Sequence, residues 1–253
     1  MAVSDDILLA ENIAKRFGPV TALRDVTLRL GRGEVLGLIG DNGAGKSTLI
    51  KTLCGFHQPD AGRIVVDGEE VSLRSVSHAR SLGIDTVYQD LALVDQLSVY
   101  HNMFLNREIV RWPLLRNRTM RRLARQHLDE IGVNIPDVKV DVARLSGGQR
   151  QAIAVARSVY SARKILLLDE PLAAMGAKEG ALILDLIRDL KERGNVSIII
   201  IAHNYAQVLD VCDRVNLLQH GEITFDKRAV DTSLEELTEL VVAEYRAGRG
   251  RRR

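Results

Sequence analysis

Gly40-Asp41-Asn42-Gly43-Ala44-Gly45-Lys46-Ser47 follows directly on Val35-Leu36-Gly37-Leu38-Ile39, a continuously apolar run. The octapeptide satisfies G-x-x-x-x-G-K-[ST], and its meaning comes from its place between a buried strand and the start of a helix. Its glycines let backbone N–H groups converge on phosphate oxygens, and the N-terminus of the following helix favours the same anion. Lys46 reaches the β/γ-phosphates and the Ser47 hydroxyl is suited to ligate Mg2+. An ordinary Gly-rich turn would share the glycines, but not the Lys-Ser pair between a buried strand and a helix.

Two further runs resemble the first strand: Ile165-Leu166-Leu167-Leu168 and Ile198-Ile199-Ile200-Ile201. Such runs suit parallel strands covered on both faces, so they predict a central sheet in an α/β fold. Ile7 to Phe17, Val20 to Leu30 and Gly62 to Val71 read instead as half-buried strands of an antiparallel flank. The last is broken by Asp67-Gly68, a dipeptide suited to a tight hairpin. Between Ser98 and Ile131 the pattern becomes helical and arginine-rich, which predicts an inserted helical subdomain over 95–160. The nucleotide-binding core with its β flank then takes 1–94 and 161–232. Leu217 to Ile223 reads as a late hairpin, and 233–253 as an amphipathic helix, from about Leu234 to Tyr245, followed by an arginine-rich tail.

Composition narrows the function. The 253 residues carry 35 Lys and Arg against 33 Asp and Glu, a net charge of +2, and five of the arginines lie in 246–253. A globally basic nucleic-acid binder is not indicated. No apolar stretch approaches the ~20 residues that span a bilayer, and Met1 to Asp6 lacks the basic-then-apolar order of a secretory signal, so a cytoplasmic chain is expected. Cys54 and Cys212 sit in apolar surroundings without metal-ligand spacing, which favours two small core residues over a disulfide or zinc site.

The second apolar strand ends in Asp169-Glu170. The position suits Asp169 to support Mg2+, directly or through water, and Glu170 to polarise an attacking water as general base. A strand-end acid pair alone is more often solvated charge; the phosphate loop upstream changes that reading.

Leu145-Ser146-Gly147-Gly148-Gln149, at the start of a helix running to about Tyr160, completes a set that resembles the signature of ATP-binding-cassette ATPases. The order is the family's own: Phe17, the phosphate loop, Gln89 in Val87-Tyr88-Gln89-Asp90, the LSGGQ run, Asp169-Glu170, and His203 after the isoleucine strand. The resemblance spans nearly the whole chain and implies a P-loop NTPase core of RecA-like type, with ATP and Mg2+ as ligands. By the same resemblance Gly40, Asn42, Gly43, Ala44, Gly45, Lys46, Ser47 and Thr48 hold the phosphates, and Phe17 stacks on adenine. Ser47, Gln89 and Asp169 serve the metal. Glu170, His203 and Gln89 serve hydrolysis, while Ser146, Gly147, Gly148 and Gln149 close over the nucleotide of a second cassette in a head-to-tail dimer. Read singly, Phe17 is as well a core aromatic, and Gln89 and His203 are polar residues at strand ends. One departure stands out: Pro171-Leu172-Ala173-Ala174-Met175-Gly176 lacks the Thr or Ser hydroxyl and the terminal Asp usual after the catalytic Glu.

Too few positions separate Lys46 from Asp169 for the long coiled coil of chromosome-type relatives, and the chain holds one cassette and no membrane helices. The stand-alone subunit of an importer remains, at the cytoplasmic face of the membrane, with a multi-span permease as partner and a substrate-binding protein reached indirectly. The phosphate loop, Ser81-Leu82-Gly83-Ile84 and Ala202-His203-Asn204-Tyr205 resemble the monosaccharide branch, the ribose- and fructose-type systems. A soluble ATPase acting on a protein or nucleic-acid partner is the alternative. Arg107, Arg111, Arg116, Arg118, Arg121, Arg122 and Arg125, around the sole tryptophan Trp112, form either a solvated helix face or a contact with permease or lipid headgroups. The terminal arginines are expected to be disordered, with attraction to anionic lipid as the alternative.

Overall fold

The computed structural model describes residues 6–88, 90–161, 164–173 and 175–250. Twelve strands and eight α-helices are described. The flank consists of β1 (Asp6–Phe17), β2 (Val20–Gly31), β4 (Ala61–Val66) and β5 (Glu69–Val71), antiparallel in the order β2-β1-β4-β5. Asp67 and Gly68 take φ of 58° and 83° at the β4–β5 turn, the left-handed backbone that the dipeptide predicts.

The central sheet has six strands in the order β12-β11-β3-β10-β9-β6. Its three middle members are β3 (Val35–Ile39), β10 (Ser197–Ile201) and β9 (Ile165–Asp169), each buried along its whole length. β6 (Ile84–Val87) and β11 (Arg214–Gln219) extend the parallel part, and β12 (Glu222–Arg228) returns antiparallel along β11. The late hairpin is thus longer than predicted and belongs to the main sheet.

Alternation along these strands divides the core in two. Leu36, Leu38, Leu167, Ile199 and Ile201 face the antiparallel flank and α1 (Lys46–Leu53). Val35, Ile39, Leu166, Leu168, Ile198 and Ile200 face α4 (Asn117–Glu130), α5 (Gly147–Ser161) and α6 (Ala177–Arg193). The remaining helices are α2 (Val76–Ser81), α3 (Val99–Met103), α7 (Tyr205–Val211) and α8 (Leu234–Gly250). α8 therefore continues past the end predicted at Tyr245, into the segment expected to be disordered.

The arginine-rich segment departs most from expectation. Only Val99–Met103 and Asn117–Glu130 are helical there, and between them stands a small hairpin of β7 (Val110–Arg111) and β8 (Leu114–Leu115). Arg107, Arg111 and Arg116 lie outside any helix. Arg121 lies over the Tyr100 ring, 5.2 Å from its centroid, and Arg125 donates to the carbonyls of Ile135 at 3.1 Å and Pro136 at 3.2 Å. A uniformly solvated helix face is not what the segment forms. Cys54 and Cys212 are buried free thiols, and no described helix is long and apolar enough to cross a membrane.

Candidate active site

The three middle strands deliver the site. Ile201, the last residue of β10, is level with Leu38 of β3 on one side and Asp169 of β9 on the other. The phosphate loop leaves β3, Asp169-Glu170 leaves β9 and His203 follows β10, so all three sets meet at the carboxyl edge, where parallel sheets bind their ligands.

Gly40, Gly43 and Gly45 have φ of 146°, 83° and 111°. A Cβ on Gly40 would lie 2.1 Å from the Leu218 carbonyl oxygen, and one on Gly45 2.5 Å from that of Ala22. These two glycines let the loop pack on its neighbours. At Gly43 a Cβ would meet nothing within 4 Å, so the loop is open there. Lys46 opens α1 and is only 6% exposed. Its Nζ curls back to donate to the carbonyls of Gly40 at 2.6 Å and Asp41 at 2.9 Å. Burial draws the ammonium below the ordinary lysine range, and the negative charges of Glu170, Asp41 and Asp169 oppose that shift. Asn42 and Ser47 are exposed, Thr48 is half-buried and Ala44 is buried.

Asp169 is buried at the strand end, and its carboxyl is pushed up first by desolvation and then by the charge of Glu170, against Lys51, Lys46 and His203. Glu170 takes a left-handed φ of 53°, and its N–H donates to the Ile201 carbonyl at 3.1 Å. Its Oε1 lies 2.7 Å from Nε2 of His203.

The LSGGQ run forms a capping box, the S-x-x-Q arrangement in which N-cap and N3 residues satisfy each other. Ser146 Oγ accepts from the Gln149 N–H at 3.3 Å, and Gln149 Oε1 accepts from the Ser146 N–H at 3.1 Å. A Cβ on Gly147 would meet nothing within 4 Å, whereas one on Gly148 would lie 2.9 Å from Glu179 Cβ. Gly148 thus seats α5 on α6, while Gly147 faces open space. At the N-terminal end of α6 the Gly176 N–H donates to Glu179 Oε2 at 3.2 Å.

Phe17 closes β1 and is 42% exposed, edge-on to His57 with ring centroids 5.0 Å apart. It is a surface aromatic, not a core one. Gln89 lies outside the described residues. α1 belongs to the layer shared with the flank and α5 to the opposite helical layer, so the signature is not drawn onto the loop of its own chain.

A family model described as ABC transporter matches residues 23–173. The chain belongs to the ABC transporter family. This cassette, an ATPase, is 45% identical over 238 residues to the xylose/arabinose import ATP-binding protein XylG of Sulfolobus acidocaldarius, covering 94% of each chain. It is 43% identical over 225 residues to the fructose import ATP-binding protein FrcA of Rhizobium meliloti, covering 86% of each. Its fold is similar to the ADP conformation of MJ1267, an ATP-binding cassette of an ABC transporter, with a TM-score of 0.79 and 25% identity over 94% of this chain and 95% of that one.

Two residues of the cassette escaped the sequence reading. Lys51, in the last turn of α1, acts electrostatically on Asp169. Arg157, on α5, donates to the carbonyls of Leu91 at 2.9 Å and Ala92 at 2.8 Å, tying the signature helix to the stretch just after Gln89. A signal existed for Arg157: it is the one cation in Ile153-Ala154-Val155-Ala156-Arg157-Ser158, a run otherwise buried.

Proposed function

We propose that this chain powers a monosaccharide importer by hydrolysing ATP in two sites shared between two copies. Lys46 and the loop N–H groups engage the phosphates, and Phe17 stacks on the adenine. Ser47 and Asp169 are hard oxygen donors that would hold Mg2+, which, when bound, would neutralise developing phosphate charge. By the family resemblance Gln89 serves the metal or the water. Glu170 accepts the proton of the attacking water, held in place by His203.

The observation that carries this reading is the convergence of loop, Asp169, Glu170 and His203 at one sheet edge, with the signature in the opposite layer. A signature turned away from its own phosphate loop needs a second chain to meet one. The likeness to XylG and FrcA, both named for sugar import, favours transport over the soluble-ATPase alternative. The subunit then works at the cytoplasmic face of the membrane, bound to a permease and, through it, served by a substrate-binding protein. The segment 95–160 is the helical arm of the cassette.

Isolation from native membranes in mild detergent tests the reading. A multi-span permease should co-purify, with ATP hydrolysis that rises when the binding protein presents its monosaccharide. Recovery of the active ATPase with a soluble partner and no permease would contradict it.

A further inference from the structure

The β7–β8 hairpin serves neither core. Val110, Trp112, Leu114 and Leu115 are 52%, 90%, 72% and 46% exposed, and the ladder pairs Val110 with Leu115 and Arg111 with Leu114. An exposed contiguous apolar group of this kind marks an interaction surface. Its surroundings are cationic. Arg111, Arg116, Arg118 and Arg122 are all exposed, and Glu108 is the only acid between Arg107 and Arg125. At the foot of the hairpin a hollow of about 560 Å3 is lined by Leu115, Arg116, Asn117, Arg118, Thr119 and Arg122.

We infer that this hairpin docks on the anionic phospholipid surface of the membrane, Trp112 and Leu114 entering the headgroup boundary while Arg116, Arg118 and Arg122 take phosphodiester groups. Each part of the pattern has its physical reason. Indole is amphipathic and settles at the boundary between hydrocarbon and water. Aliphatic tips gain by leaving water, and arginine side chains beside them meet the negative surface potential. A nucleic-acid surface would use the charges but give Val110, Leu114 and Leu115 nothing to bury against. Arg121 and Arg125 are not part of the surface, since their side chains are engaged by Tyr100, Ile135 and Pro136. The inference rests on the membrane-bound reading above and adds a second contact to it.

Trp112 is the only tryptophan in the chain, so the unaltered subunit reports its own docking. With vesicles of phosphatidylcholine containing one-third phosphatidylglycerol, Trp112 emission should shift to the blue and the protein should co-sediment. Vesicles of phosphatidylcholine alone should do neither, and raised salt should reverse the shift. Replacing Arg111, Arg116, Arg118 and Arg122 by glutamine should weaken partitioning by roughly several hundredfold, about fivefold for each charge. Co-sedimentation with unshifted emission would assign binding to the arginine-rich C-terminus and overturn the inference. So would a shift seen only in the detergent-purified permease complex, which would give the surface to a protein partner, and so would absence of binding. ATP hydrolysis measured in the same samples separates the two readings: an active subunit that ignores these vesicles sinks the lipid contact alone.

Discussion

His203 Nε2 stands 2.7 Å from Glu170 Oε1, a contact between the residue that follows β9 and one that follows β10. Because the two strands are neighbours in register up to Asp169 and Ile201, the sheet itself sets this distance. Glu170 is held further by its left-handed backbone and by its N–H on Ile201.

Glu170→Gln keeps the shape and the contact with His203 but cannot accept a proton. ATP binding should persist while turnover falls by roughly 10²–10⁴. Nucleotide affinity by equilibrium titration, beside steady-state phosphate release, checks this. Near-normal release would remove Glu170 from the base role.

Arg157→Ala should leave the Leu91 and Ala92 carbonyls without their guanidinium and cost about 1–3 kcal/mol. Since the arginine joins α5 to the stretch after Gln89, stimulation of hydrolysis by the permease should suffer more than basal hydrolysis. Arg157→Lys should restore part of the stability, and less of the coupling, because one ammonium cannot reproduce the guanidinium fork. Chemical denaturation and ATPase assays with and without permease read the two effects.

The phosphate loop, the acid pair and β3, β9 and β10 were legible because a strand buried on both faces must be apolar throughout, and a phosphate cradle needs glycines and a lysine at fixed spacing. β6 was not legible: its centre is Asp85-Thr86, polar residues that are buried because Asp85 pairs with Arg80 at 2.9 Å and accepts the Thr86 N–H. The β7–β8 hairpin hid for another reason, being two residues a side with little buried to give it a period. Arg121 and Arg125 read as solvated positions because the groups that engage them, the Tyr100 ring and the Ile135 carbonyl, are remote in sequence. The signature was legible as chemistry and as a helix start; the capping box of Ser146 and Gln149 emerged only from the structure.

Asp67 joins the flank to the central sheet by ion pairs with Arg32 and Lys164, which hold its carboxyl down at about 2 against an ordinary 3.8. A depressed folded-state value means stabilisation that is present above about pH 4 and is lost as pH falls toward 2. Asp67→Asn, which tolerates the left-handed φ, should lower the melting temperature near neutral pH. The gap between variant and parent should narrow at about pH 3 and at high salt, because the pairs are exposed. A gap independent of both pH and salt would trace the effect to the turn instead.

Sharing of the active site between two chains is tested most directly by mixing two inactive variants. Lys46→Ala disables the phosphate loop. Gly147→Asp places a charge where a side chain meets open space, whereas the same change at Gly148 would press on Glu179 and disturb the fold. In a mixed head-to-tail dimer one site receives both lesions, and the other receives an intact loop from the Gly147→Asp chain and an intact signature from the Lys46→Ala chain. Random mixing makes about half the dimers mixed, so roughly a quarter of all sites should be whole, and ATP hydrolysis should rise well above that of either parent. Hydrolysis that stays at the sum of the two parents, with subunit exchange independently demonstrated, would contradict the shared site.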